Sequence, residues 1–249
     1  MIHSLFPQKV VLEPISHTYR DSGGNQYLSV SRLLSFLGEK FEDTPAYARA
    51  DEETRAKWKQ IGKESAGHGT KIHEALELFN QTGQILVENA QMEGAIKSII
   101  GEYKDYYRTH DEICLYNDEY RVAGTTDKIC VISNRKDSEV DLADYKTNNR
   151  KGIVFHNDYK KRLYAPFDHL QDCNFVKYSF QLSIYAYFFE LLTGRKVRKL
   201  YIHFIPPDNM MAHYKIPVMY MKNDVKLLLE THKHQIISTL EGAEMKPAF

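Results

Sequence analysis

The chain of 249 residues has little cysteine, a single tryptophan and no excess of either charge. Cys114, Cys130 and Cys173 are widely spaced and form no Cys-x-x-Cys pair. That spacing excludes a zinc knuckle, an iron–sulfur run and a disulfide framework, and leaves three reduced thiols. Lys plus Arg and Asp plus Glu number 33 each, so the formal net charge is zero. A surface that is basic all over is excluded; a local basic groove is not. No run approaches the roughly 20 apolar residues of a membrane span. The segment from Met1 to Val11 has neither the apolar stretch of a secretion signal nor the Arg- and Ser-rich pattern of a transit peptide. The expectation is a cytoplasmic protein without a membrane partner.

What is present is a globular composition, 43% hydrophobic and 27% charged, long enough for a core that needs no staple. Val10 to Val30 alternates around the turn residues Asp21 to Asn25 and reads as a hairpin. Ser29 or Ser31 can cap a short helix through Leu37, stopped by Gly38. Glu39 to Tyr47 reads as a connection. Asp51 to Phe79 reads as two helices or one bent helix, with Ile72, Ala75, Leu76 and Phe79 on a core-facing stripe. Gln91 to His110 reads as another helix. Short β-type runs follow at Ile113–Val122, Thr126–Ile132 and Glu139–Tyr145. An aromatic-rich helix spans Phe175 to Leu192 and is closed by Gly194. Lys199–Ile205 and His213–Val218 read as strands, and Asn223 caps a last helix through Leu240, before Gly242. No linker divides this order. It predicts one α/β domain over 1–249, with a hairpin and helical extension in 1–66 and the core in 67–249.

Four stretches carry chemistry. In Asp144-Tyr145-Lys146, residues two apart on a strand share a face, so Asp144 and Lys146 project side by side. A carboxylate is a hard oxygen ligand for Mg²⁺ or Mn²⁺, and a neighbouring ammonium can orient or help deprotonate a water. Asp127, in Gly124-Thr125-Thr126-Asp127, lies on the preceding β-run and can reach the same ion across an antiparallel pair. His73, on the helix before the strands, adds an imidazole to the two carboxylates. Gln181 and Tyr185, four apart, share one helical face.

Taken in order, these stretches resemble the PD-(D/E)XK nuclease superfamily, in particular its RecB-like exonuclease branch. Leu28 to Leu34, Trp58-Lys59-Gln60 and Gly69 to Glu77 extend the likeness towards the mitochondrial genome-maintenance and single-domain phage and bacterial exonucleases of that branch. The missing transit peptide favours a bacterium or a phage-infected host cell. The resemblance implies a restriction-endonuclease-like αβββαβ core, with a mixed central sheet flanked by helices. It implies that His73, Asp127, Asp144 and the backbone carbonyl of Tyr145 hold Mg²⁺ or Mn²⁺. Lys146 would activate the attacking water, and Gln181 and Tyr185 would hold Lys146 or the DNA backbone. The cysteines do not match the iron–sulfur cluster of some relatives, so no cluster is expected.

The stretch between Lys146 and Gln181 is longer than the compact family pattern. Arg150, Lys151, Lys160, Lys161, Arg162 and Tyr164, with Tyr159, would let it track a DNA strand by phosphate neutralisation and stacking. Glu74, Glu77 and Glu119 are further acidic neighbours of the site. The expected activity is a metal-dependent DNA exonuclease acting on single strands or ends, with recombination or replication proteins as partners. The alternatives are a structure-specific or restriction-type endonuclease and a catalytically inactive DNA-binding module of the same fold.

Overall fold

The computed structural model describes residues 5–14, 16–87, 90–147, 152–206 and 213–244. The N-terminal alternation forms three strands, β1 (Val10–Glu13), β2 (Thr18–Asp21) and β3 (Gln26–Ser29). The Asp21 carboxylate closes the β2–β3 turn by accepting the N–H groups of Gly23 and Asn25. Ser29 caps α1 (Val30–Leu34) by accepting the Arg32 N–H, and the helix ends at Ser35, short of Gly38. The stretch read as a connection holds a 3₁₀ turn (Phe41–Asp43) and α2 (Pro45–Arg49).

Asp51 to Phe79 forms one helix rather than two: α3 (Glu52–Thr82) is continuous for 31 residues. Its internal glycines weaken a helix but keep their N–H donors, so they do not break it. Asp51 caps its start, and Gly83 ends it at φ 73°. The helix α4 (Ala90–Glu102) stops well before His110, because Arg108 already pairs with Val131 in the sheet. The strands β4 (Arg108–Asn117), β5 (Val122–Val131) and β6 (Val140–Lys146) follow. Then come α5 (Asn174–Thr193), β7 (Val197–Phe204), β8 (Tyr214–Val218) and α6 (Lys222–Glu244). The last helix runs through Gly242 rather than stopping at it.

The strands form one mixed sheet in the order β1-β2-β3-β5-β6-β7-β8, with β4 on the other edge of β5. The β3–β5 and β6–β7 pairs are parallel and the rest antiparallel. Helices cover both faces. Phe180, Phe188 and Phe189 of α5 pack with Val225 and Leu229 of α6 in the larger core. Ile72 and Leu76 of α3 pack with Ile96 and Ile99 of α4, together with Tyr145 and Ile205, in the smaller one. Each such fully buried side chain is worth about 1.5–3 kcal/mol. Among the described residues, no helix is long and apolar enough to cross a membrane.

One detail of the pairing positions the site. β4 lines one edge of β5 along its length. The other edge is shared: Val122 and Ala123 pair with β3, and Lys128 to Val131 pair with β6. Between them Gly124 to Asp127 face a fork where β3 and β6 part.

Candidate metal centre

Asp127 fills the fork. Its Oδ2 accepts the Tyr145 N–H at 2.6 Å, so a side chain replaces the strand partner that β5 lacks there. Gly124 permits the packing around it: a Cβ would lie 2.7 Å from the Tyr185 ring and 2.8 Å from Val30. Only a glycine lets α1 and α5 close on β5 at that point.

Along β6 the side chains alternate. Tyr145 turns into the α3–α4 core, with its ring edge-on to His73. Lys146 faces α5, its Nζ 2.5 Å from Asp144 Oδ2 and 4.7 Å from the centre of the Tyr178 ring. Asp144 is buried, and its Oδ2 receives no well-aimed hydrogen bond despite this ion contact.

On the opposite side α3 passes close to the end of β6. A Cβ on Gly69 would lie 3.1 Å from Thr147 Oγ1. One turn further on, His73 places Nδ1 3.6 Å from Asp127 Oδ1 and 3.5 Å from Glu112 Oε1. One ligand atom each from His73, Glu112 and Asp127 all lie within 4.8 Å of one another. Glu112 stands across from Asp127 on β4 at φ 51°, a left-handed conformation that costs a glutamate energy. That strain sits where its carboxylate meets His73.

The charges do not balance. Burial raises the pKa of Asp127, and the neighbouring charge of Asp144 raises it further, against His73 and Lys146. Burial opposes a charge on His73, but Asp127, Glu112 and Asp144 outweigh it and hold the imidazole up to about 9. Burial likewise opposes a charge on Lys146, and Asp144 and Asp127 prevail. Three carboxylates thus face one ammonium and one imidazole. Carboxylate oxygens with one imidazole suit a hard divalent cation, which would relieve the repulsion between Asp127 and Asp144.

Glu112 and Tyr178 are the residues that sequence reasoning missed. Glu112, rather than Asp144, completes the compact group with His73 and Asp127. Tyr178 is the α5 residue stacked on Lys146, whereas Gln181 donates to the Tyr185 hydroxyl at 3.1 Å. Tyr185 is buried, and burial together with Asp144 holds its hydroxyl firmly protonated. Glu74 and Glu77 line an open groove of about 400 Å³ beside His73 and Glu112. Glu119 lies elsewhere, paired with Lys233 of α6.

The basic stretch is divided. Arg150 and Lys151 lie outside the described residues. Lys160, Tyr159 and Tyr164 are exposed. Lys161 is tied to Glu39 at 2.7 Å, and Arg162 donates to the His169 carbonyl at 2.9 Å. All three cysteines are buried and free.

No family model matches the chain, and no curated relative does. Solved structures do match. One is the crystal structure of a protein from Eubacterium rectale titled "Putative exonuclease", 13% identical, with a TM-score of 0.45, covering 87% of this chain and 82% of that one.

Proposed function

We propose that the protein is a divalent-metal-dependent deoxyribonuclease, an exonuclease that hydrolyses phosphodiester bonds in single strands or at DNA ends. The observation that carries this reading is the convergence at the fork. His73, Glu112, Asp127, Asp144 and Lys146 come from four elements and meet with a surplus of negative charge. A bound divalent cation would offset that surplus, which otherwise raises the pKa of Asp127.

His73, Glu112 and Asp127 would hold Mg²⁺ or Mn²⁺, with Asp144 and the backbone carbonyl of Tyr145 beside them. Such an ion would supply Lewis acidity towards a phosphoryl oxygen and the leaving 3′-oxygen. Lys146 keeps its proton beside Asp144, and its ammonium orients the attacking water and the charge of the phosphate. Tyr178 fixes the reach of Lys146 by lying under its Nζ. Asp144 holds that ammonium in place through its Oδ2. Gln181 and Tyr185 hold each other and brace the wall of α5 behind Asp144. Recombination or replication proteins are the partners this activity calls for.

The test is cleavage of end-labelled linear single-stranded DNA with Mg²⁺, Mn²⁺ or EDTA, with closed single-stranded circles in parallel. Loss of the linear strand alone, only with metal, is the expected result. Cutting of circles would replace the exonuclease reading with an endonuclease one. No cutting in any metal, together with no Mn²⁺ binding by calorimetry, would leave a binding module.

A further inference from the structure

At the far end of the β4–β5 pair lies a cavity of about 450 Å³ that plays no part in the site above. Arg108 and His110 of β4, Arg135 and Lys136 of the β5–β6 turn, and Arg195 after α5 line it. Among the described residues no carboxylate lines it. The nearest acid in sequence, Asp137, pairs with Arg135 on the outside, both side chains 75% exposed. Arg108 and Lys136 have no ion pair among the described residues, and Arg108 stacks on the exposed ring of Tyr107 at the rim.

Arg195 is held at the wall by its Nε, which donates to the Ser138 carbonyl at 2.7 Å, while its enclosed Nη2 meets no acceptor among the described residues. The surroundings agree: burial lowers the pKa of Arg195, and burial followed by Arg108, Arg195 and Lys128 lowers that of His110. A positive field with no counter-ion of its own is what an anion would complete. Ser133 and Asn134 at the wall add neutral hydrogen-bonding groups.

We infer that this cavity is an anion site that takes a phosphate group, through the guanidinium groups of Arg108 and Arg195 and the ammonium of Lys136. Two sources share that chemistry. One is free phosphate or a nucleotide. The other is the backbone of a strand whose scissile bond lies at the metal centre. Arg108 is four residues from Glu112 along β4, roughly 13 Å at strand spacing. The second source rests on the nuclease reading and the first does not.

The experiment compares the native chain with the Arg108→Ala/Lys136→Ala double variant and with Arg195→Lys. The first two side chains make no ion pair in the fold, so the double variant keeps its structure, which thermal melting verifies. Melting is followed with added inorganic phosphate, and binding of a labelled single-stranded oligonucleotide is measured in EDTA, where cleavage does not intervene. If free phosphate is the ligand, it raises the melting temperature of the native chain and not of the double variant. If a strand's phosphate is the ligand, the double variant binds the oligonucleotide less tightly, with a salt slope shallower by about 0.7 for each phosphate it no longer neutralises. Arg195→Lys keeps the charge and loses the planar fork, so it weakens whichever ligand binds by a smaller factor. Variants that match the native chain for both ligands would overturn the proposal, whatever cleavage shows.

Discussion

Two lysine–aspartate pairs lie on neighbouring strands of one sheet. Lys128 and Asp111 are cross-strand partners beneath α3 and α4; Lys146 and Asp144 share β6 beneath α5. Asp111 is well supplied: Lys128 reaches it, Asn80 donates to it at 2.9 Å, and the Tyr103 ring lies 5.0 Å below Lys128. Among the described residues Asp144 forms its ion pair with Lys146 alone. The same contrast shows in what acts on each carboxylate. Burial lifts Asp111, and the next influence, Lys128, pulls it down. Burial lifts Asp127, and the next influence, Asp144, pushes it further up. A buried ion pair therefore does not mark a site. An unbalanced carboxylate beside one does.

That contrast is sharpest in Lys146→Ala against Lys128→Ala. Lys146→Ala is expected to lower the cleavage rate per folded molecule by about 10²–10⁴ in a single-turnover assay, and also to cost stability, since Asp144 is left buried without its ammonium. Lys128→Ala is expected to cost about 3–5 kcal/mol of stability by leaving Asp111 buried and unpaired, read by urea denaturation. Its cleavage rate per folded molecule should match the native chain. If the two variants behave alike, the distinction between the pairs fails.

Glu112→Gln comes next. It removes one charge from the compact group and should weaken Mn²⁺ binding by about 10–100-fold in calorimetry. An unchanged affinity would hand the third position back to Asp144. Tyr178→Leu removes only the ring beneath Lys146, an effect of about 0.5–2 kcal/mol, so the rate should fall by a few-fold to about 30-fold while metal affinity holds.

The smallest expected effect belongs to the structural side of the comparison. His203 is fully buried, shares a 2.6 Å contact with His213, and packs against the rings of Tyr103 and Tyr145. Burial, then His213, Lys215 and Lys128, holds it well below its ordinary pKa, while Ser98 of α4 meets His213 from the other side. The unfolded chain takes up that proton near pH 6.5 and the folded chain does not, so stability falls as pH drops below that value. The native chain should lose melting temperature relative to His203→Phe as pH falls from 7 to 5; a difference that does not change with pH would remove His203 from the account.

Much of this arrangement was legible in residues. The aromatic helix closed by Gly194 and the strand runs before it follow from local pattern, and α5 and β6 lie where that pattern predicts. The start of β4 was not legible, because Tyr106, Tyr107 and Arg108 fit a helix until β5 offers backbone partners. Glu112 was hidden for a related reason. Nothing near it in sequence marks it, and it becomes visible only through register. The tight turn after Asn117 pairs that residue with Val122, and counting five back along each strand puts Glu112 opposite Asp127. Tyr178 was overlooked because it precedes the Gln181–Tyr185 pair by one turn, and only the reach of Lys146 selects it.

The fork has a consequence for how the chain matures. One prong, β6, follows β5 through a short turn; the other closes from a distant part of the sequence, where Leu28 of β3 reaches Val122. Contacts of such separation form late, after the loops between them have closed. Helix α3 must then dock before His73 can meet Asp127. A nicked or half-folded chain therefore carries every residue of the candidate metal centre without the centre itself.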